Sequence, residues 1–155
     1  MPKVYLDTNI LLDAASEQRP GHRAAALLLE SSAVELGISA GSLKDFYYIA
    51  TGAKSAMNPK TGAGLDDGTC REYIRLFLNC AELLPDDRRV CSIALDSNEP
   101  DYEDGTKRAA AEVWGADCIV SRDNHRHAFR NSSIPRIDAE RFLEELGPTF
   151  FRSSV

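Results

Sequence analysis

Lys3-Val4-Tyr5-Leu6-Asp7-Thr8-Asn9-Ile10-Leu11-Leu12 begins strand-like, turns polar for three residues and returns to an apolar run. A short apolar segment with Val and Tyr, then a polar corner, then helix-compatible residues, reads as a buried strand handing the chain to a helix. Asp7 then stands at the carboxyl end of that strand. The same alternation recurs downstream. Residues 22–30 (HRAAALLLE) are strong helix formers after Pro20-Gly21, and 33–39 (AVELGIS) read as a second strand. Residues 42–50 (SLKDFYYIA) form a helical stripe, with Ser42 as its expected N-cap and Asp45 at its third helical position. Helical spacing follows over 69–79, a short strand over 81–84, a helix over 88–95, and a helix over 101–114 that stops before Gly115. Strands over 118–121 and 134–137 precede a closing helix over 138–146, capped by Asp138. Short strands alternating with helices predict an α/β layer fold with a mostly parallel sheet, since parallel neighbours need a helical crossover.

The chain has 155 residues, the length of one domain on a prior of roughly 150 residues per domain, so 1–155 is expected to form a single unit. Residues 52–68, with glycines at 52, 62, 64 and 68 and Pro59, read as a long mobile loop within it. Hydrophobic residues make up 43% and charged residues 27%, which argues against disorder and coiled coil. No apolar run is long enough to span a bilayer and the start lacks a signal-like core, so no membrane role and a cytoplasmic location are expected. The net charge of -6 excludes nucleic-acid binding by bulk charge alone; a polyanionic partner needs local help. Cys70, Cys80, Cys91 and Cys118 include no C-x-x-C pair and no zinc-finger spacing, and read as reduced thiols.

In open parallel sheets ligands collect beyond the carboxyl ends of the strands. Asp7, Asp45 and Asp123 each follow a predicted strand, and Asp104 heads the helix that runs into the last of these. Four carboxylates at one rim raise each other's pKa unless a cation sits among them, and oxygen ligands select a hard ion, Mg²⁺ or Mn²⁺. Such an ion can activate water and stabilise the leaving oxygen of a phosphodiester, so hydrolysis of that bond is the natural reaction.

These residues resemble the PIN domain family and, within it, the VapC-type toxins of toxin–antitoxin pairs. The likeness rests on Tyr5-Leu6-Asp7-Thr8-Asn9-Ile10-Leu11 with its Asp-x-Asn signature, and on 104–115 (DGTKRAAAEVWG), an acid with a helical Ala seven residues on and then Gly. It extends to 116–123 (ADCIVSRD), an apolar strand followed by Ser, any residue and Asp, and to the closing IPRIDAERFLEEL. The resemblance implies a three-layer α/β/α sandwich of about five short strands. It implies that Asp7, Asp104 and Asp123 are metal-site acids, that Asp45 fills the second acidic position, and that Asn9 and Ser121, with Thr8, support the site. Asp45 departs from the family's usual Glu, which retracts the carboxylate by about 1.5 Å. Gly105 departs from the commoner Ala at a cost of roughly 0.5–1 kcal/mol of helix stability. The implied activity is a Mg²⁺- or Mn²⁺-dependent endoribonuclease, the toxin of a type II pair, cutting RNA by in-line attack of an activated water. Implied partners are RNA, a cognate antitoxin and a second copy of the chain in a homodimer. The alternative is a weak or inactive module that binds RNA or a protein, with Asp45 marking a decayed site.

Plainer readings compete at several positions. Asp at a helix start is often only a cap, which suffices for Asp138; at the other helix Asp101 can cap alone, leaving Asp104 for chemistry. Glu103 reads as a first-turn charge or a spare acid beside the site, and Asp13 as a solvated helix-end charge. Arg122, His125, Arg126 and His127 form a basic knot beside Asp123 that suits phosphate contact, with Lys44 and Lys54 as weaker candidates. Tyr47, Tyr48 and Trp114 can stack on bases, although helical spacing favours packing. A dehalogenase-type phosphatase requires Asp-x-Asp where this chain has Asn9, and the acids and lysine of a receiver domain are missing.

Overall fold

A computed structural model of the chain describes residues 1–52, 57–58, 63–122 and 128–152, with 146–152 described by backbone alone. β1 (Lys3–Leu6) leads through α1 (Thr8–Ala14) and α2 (His22–Glu30) to β2 (Glu35–Ser39). α3 (Ala40–Thr51) and α4 (Asp67–Cys80) lead to β3 (Glu82–Leu84), and α5 (Arg88–Asp96) and α6 (Tyr102–Trp114) to β4 (Cys118–Val120). β5 (Arg136–Ile137) and α7 (Ala139–Arg152) close the chain.

The five strands lie in the order β3-β2-β1-β4-β5, and every pairing is parallel. The chain steps outward from β1 to β3 and then returns across β1 to β4. Because parallel crossovers keep one hand, that reversal sends the helices before and after it to opposite faces of the sheet. Strand alternation matches. Val4, Leu6, Leu36, Ile38 and Val120 pack with residues of α1 to α4 and α7, whereas Tyr5, Leu84 and Ile119 pack with α5, α6 and Phe129. The result is a three-layer α/β/α sandwich, all-parallel where the sequence predicts mostly parallel. The reversal lies between β1 and β4, so the crevice beyond their carboxyl ends is the place where this topology collects ligands.

Several boundaries differ from the sequence reading. Ser39, the last residue of β2, caps α3 by accepting from the Ser42 backbone N–H at 3.2 Å; Ser42, expected as the cap, is fully buried. β2 therefore passes straight into α3, and Asp45 sits in the second turn. α4 starts at Asp67 with Asp66 as N-cap, two residues before the predicted start and inside the expected loop. Within that loop Met57 is buried, its carbonyl accepting from the Ser16 hydroxyl, and Leu65 N–H donates to the Ala50 carbonyl at 2.7 Å. Residues 53–56 and 59–62, Lys54 among them, lie outside the described residues. α7 continues to Arg152, beyond the expected end at 146.

Gly115 ends α6 at φ 79°, the left-handed cap that lets its N–H reach the Ala111 and Glu112 carbonyls. A Cβ on Gly37 of β2 would fall 2.7 Å from the Trp114 ring, so the glycine admits the indole against the sheet. Trp114 also donates to Glu82 at 3.0 Å and lies under the Lys3 ammonium, at the amino end of β1 and the far end of α6 from Asp104. It is therefore a packing residue remote from the acids. A Cβ on Gly105 would meet only ordinary contacts at 3.4 Å, so packing does not demand that glycine. All four cysteines are free, and burial pushes the Cys118 thiol up to about 12.

A buried acid ties the segment before β5 to α6. The Glu99 side chain, 1% exposed, faces Arg108 at 3.2 Å and accepts the Phe129 N–H at 2.6 Å. Phe129 has φ 62°, a conformation that a non-glycine residue holds only when its surroundings enforce it. Arg108 reaches further, to Glu112 at 2.8 Å and the Asn131 carbonyl at 3.1 Å. Glu99→Ala leaves a buried guanidinium and a backbone N–H short of a partner, and is expected to cost about 2–3 kcal/mol. A thermal melt checks this: the expected drop is roughly 4–12 °C, and an unchanged midpoint would show that Glu99 is dispensable.

Candidate active site

The register Val4↔Cys118, Tyr5↔Ile119, Leu6↔Val120 brings the exits of β1 and β4 side by side. Asp7 N–H completes that ladder on the Val120 carbonyl at 3.0 Å. The Asp7 backbone remains extended as the N-cap of α1, and its Oδ1 accepts from Thr8 N–H at 2.7 Å. Its Oδ2 accepts from the Ser121 hydroxyl at 2.8 Å, which in turn accepts from Asn9 Nδ2 at 3.3 Å. Asn9 Oδ1 accepts from Arg122 N–H at 3.1 Å. The first and fourth strands' exits are thus laced together, with Asp7 buried and oriented at both oxygens. Thr8 Oγ1 is the buried side-chain oxygen without a hydrogen-bond partner among the described residues.

Two further segments bring acids to this crevice. α3 presents Asp45, and the first turn of α6 presents Glu103 and Asp104. Asp101 caps α6 by accepting from Asp104 N–H at 3.1 Å, so Asp104 is not needed as the cap. Burial pushes the Asp104 carboxyl up to about 6; Lys107 opposes the rise, and Asp7, Asp101 and Glu103 add to it. The Asp45 carboxyl is also raised, first by burial and then by a hydrogen bond with Glu103, against the pull of Lys107. A neighbouring carboxyl favours the neutral form of Asp45, as burial does. Asp45, one methylene shorter than the family's usual acid, still reaches the crevice.

Lys107 is the residue that sequence reading missed. Its side chain is 9% exposed, and its Nζ lies 3.7 Å from Asp7 Oδ1, 3.5 Å from Asp45 Oδ2 and 3.5 Å from Glu103 Oε1. Burial alone would lower its pKa, but Asp7, Asp45, Glu103 and Asp104 outweigh that and raise it. The available signal was its position one turn after Glu103 and Asp104, on the same helical face.

Asp13 corrects a second expectation. It is 1% exposed rather than solvated, and accepts from Arg19 Nε at 2.8 Å while its other oxygen faces Arg122 Nε at 3.1 Å. α1 turns its carboxylate inward, where two arginines compensate it. Arg122 therefore stands at the crevice rim, held to α1. Lys44 is exposed on α3 beside a groove lined by Leu43, Tyr47, Tyr48 and Ile74. Tyr48 is open to solvent, and the Tyr47 hydroxyl donates to Asp67 at 2.6 Å. Under the crevice the buried Tyr5 hydroxyl lies 3.0 Å from Ser39 Oγ and 3.2 Å from Ser42 Oγ, and burial holds it well above the usual phenol range. Asp123, His125, Arg126 and His127 lie outside the described residues. Among the described residues, no three carboxylates, histidines or cysteines are grouped closely enough to hold a metal as they stand. No helix among them is long and apolar enough to cross a membrane.

Solved structures share this fold. The chain resembles VapC20 of Mycobacterium tuberculosis, described as a sarcin–ricin loop cleaving toxin, with TM-score 0.62 and 14% identity over 87% of this chain and 98% of that one. It resembles a chain of a toxin–antitoxin complex from Klebsiella pneumoniae, with TM-score 0.59 and 17% identity over 88% and 97%. It also resembles a chain of VapBC2 from Rickettsia felis, solved with a DNA fragment from the pair's promoter, with TM-score 0.58 and 15% identity over 88% and 98%. At such identities the likeness establishes the fold alone. Among curated proteins none matches the sequence. A family model for the PIN domain matches residues 3–125, which take in Asp7, Asp45, Glu103, Asp104 and Lys107, and the chain belongs to the PIN domain family.

Proposed function

We propose that this protein is a metal-dependent endoribonuclease and the toxin of a toxin–antitoxin pair. The observation that carries the reading is the meeting of Asp7, Asp45, Glu103 and Asp104 from three separate segments in the crevice where the sheet order reverses. Membership of the PIN domain family supports it, as does the shared fold with a toxin described as cleaving the sarcin–ricin loop. An antitoxin partner is supported by the shared fold with chains of toxin–antitoxin complexes. The apolar groove between α3 and α4 is a face that an antitoxin or a second copy of the chain can cover.

The donor set suits a hard dication. Its carboxylate oxygens are the ligands that a hard ion prefers, and Asp104, raised to about 6 first by burial, has Asp7, Asp101 and Glu103 adding to the rise against Lys107. Asp7, Asp45 and Asp104, joined by Asp123, would hold Mg²⁺ or Mn²⁺, with Glu103 beside them. When bound, such an ion supplies charge stabilisation at the scissile phosphate and makes a water a better nucleophile. The rest is done by the chain itself. Ser121 and the Thr8 N–H fix both oxygens of Asp7, and Asn9 fixes Ser121, so the acid nearest the sheet is oriented in advance. The Asp45 carboxyl is held above the usual carboxylate range, first by burial and then by Glu103 beside it. Arg122, with His125, Arg126, His127 and Lys44, would engage the RNA backbone, the local help that an acidic protein needs for a polyanion. The ion pairs of Lys107 with Asp45 and Asp7 favour the alternative reading, a PIN module that binds RNA without cutting it.

Incubating structured RNAs with the protein in Mg²⁺, Mn²⁺ or EDTA separates the two. Expected are cleavage with either ion, none in EDTA, and rates for Asp7→Asn and Asp104→Asn reduced more than the roughly 100-fold that loss of a supporting partner costs. Ser121→Ala should fall about 10- to 100-fold, within that supporting range. Binding without cleavage in either ion would favour the inactive module, and an Asp7→Asn protein as fast as wild type would end the nuclease reading. A second expectation concerns the metal-free protein. The folded Asp104 binds its proton up to about pH 6, above an unfolded value of about 3.9, so its penalty on stability is absent below the lower value and complete above the higher. Asp104→Asn should therefore raise the melting temperature at pH 7.5 by a few degrees. The gain, on the order of 1 kcal/mol once solvent screening is allowed for, should vanish by about pH 4. Equal midpoints for the two proteins at pH 7.5 would contradict this.

A further inference from the structure

Lys107 enters the acidic crevice with the opposite charge, and its geometry is unlike an ordinary surface ion pair. The side chain is almost wholly buried, and the ammonium lies 3.5–3.7 Å from oxygens of Asp7, Asp45 and Glu103. A charge-assisted N–H···O bond closes to about 2.7–2.9 Å. The ammonium is thus centred among three carboxylates rather than bonded tightly to one. These acids come from the end of β1, from α3 and from the first turn of α6. A cation at that point holds together segments that would otherwise repel.

We propose that Lys107 is a resident counter-cation, which must withdraw from Asp7 and Asp45 before a divalent ion can enter, and so sets the affinity of the pocket for metal. The inference rests on the reading of this crevice as a dication site. A bound Mg²⁺ brings carboxylate oxygens to about 2.0–2.1 Å, and an ammonium centred on the same oxygens competes for their charge and is repelled by the ion. Lys107 thereby acts twice. It stabilises the metal-free fold, and it weakens metal binding. Asp7 Oδ2 is engaged by Ser121 and not by Lys107, so the acid stays oriented whichever cation is present.

The test uses the full chain, with Mn²⁺ binding followed by calorimetry or by the resonance signal of free Mn²⁺, and melting temperature measured with and without Mn²⁺ at constant ionic strength. Lys107→Met preserves most of the buried stem and removes the charge. It is expected to lower the metal-free melting temperature, to bind Mn²⁺ at least about tenfold more tightly than wild type, and to gain more thermal stability from Mn²⁺ than wild type gains. Lys107→Arg retains the charge and should bind no more tightly than wild type, which separates charge from packing. Should Lys107→Met not fold without metal, Lys107→Gln replaces it, and folding rescued by Mn²⁺ supports the proposal. Wild-type binding lost in Asp7→Asn but unchanged or weaker in Lys107→Met would overturn the role of Lys107 and leave the dication site standing. An absence of Mn²⁺ binding in wild type and Lys107→Met alike would remove the dication site and this inference together.

Discussion

Parallel pairing of β1 with β4, the two strands on either side of the point where the sheet reverses its order, is the constraint from which the rest of this molecule follows. Both strands point the same way, so their exits lie on one edge, with α1 leaving β1 on one face and α6 leading into β4 from the other. Asp7 and Ser121 become neighbours because Leu6 pairs with Val120, and a slip of either strand by one residue would turn its side chain away from the other. The apolar alternation of Val4, Tyr5 and Leu6 holds that register, because each face of the strand has its own core to fill.

The crevice so formed collects more negative charge than water can easily neutralise. Asp104 is raised by burial, Asp45 by burial and by its carboxyl partner Glu103, and Lys107 lies among them with its own pKa raised. The three responses are one phenomenon. Desolvated like charges are relieved by a rise in carboxyl pKa or by admitting a cation, and this pocket shows both. The PIN domain match makes nucleic-acid hydrolysis the reading that best uses such a pocket, and the same repulsion explains why the protein carries a cation of its own.

Around the rim, buried ion pairs hold the walls. Asp13 on α1 binds Arg19 and draws Arg122 back towards the helix, while Glu99 and Arg108 join α6 to the segment that leads into β5. In each case an acid is almost fully buried and compensated by arginine, whose planar fork suits such sites better than a lysine ammonium. Lysine is placed instead in the crevice, as a compact charge on a flexible stem that can move.

Element type and order were legible in the sequence because hydrophobic periodicity and caps are local properties, and the α/β alternation with acids at strand ends can be read from neighbouring residues alone. The positions of Asp7, Asn9 and Ser121 at strand exits and of Asp104 in a helix's first turn were legible for the same reason, since each belongs to a short motif. Local reading failed where two capping candidates stood close together, as at Ser39 and Ser42, and at Asp66, whose helix starts inside the glycine-bearing stretch. What only the tertiary structure decided were the relations between distant residues: Asp13 is buried because α1 turns it towards Arg19 and Arg122, and Glu103 belongs to the pocket because α6 lies across from Asp45. Lys107 is ordinary in its own helix, and its role arises only where three separate backbones converge. A charge in sequence has no fixed energy, because desolvation and Coulomb interaction depend on distances that chain order does not specify.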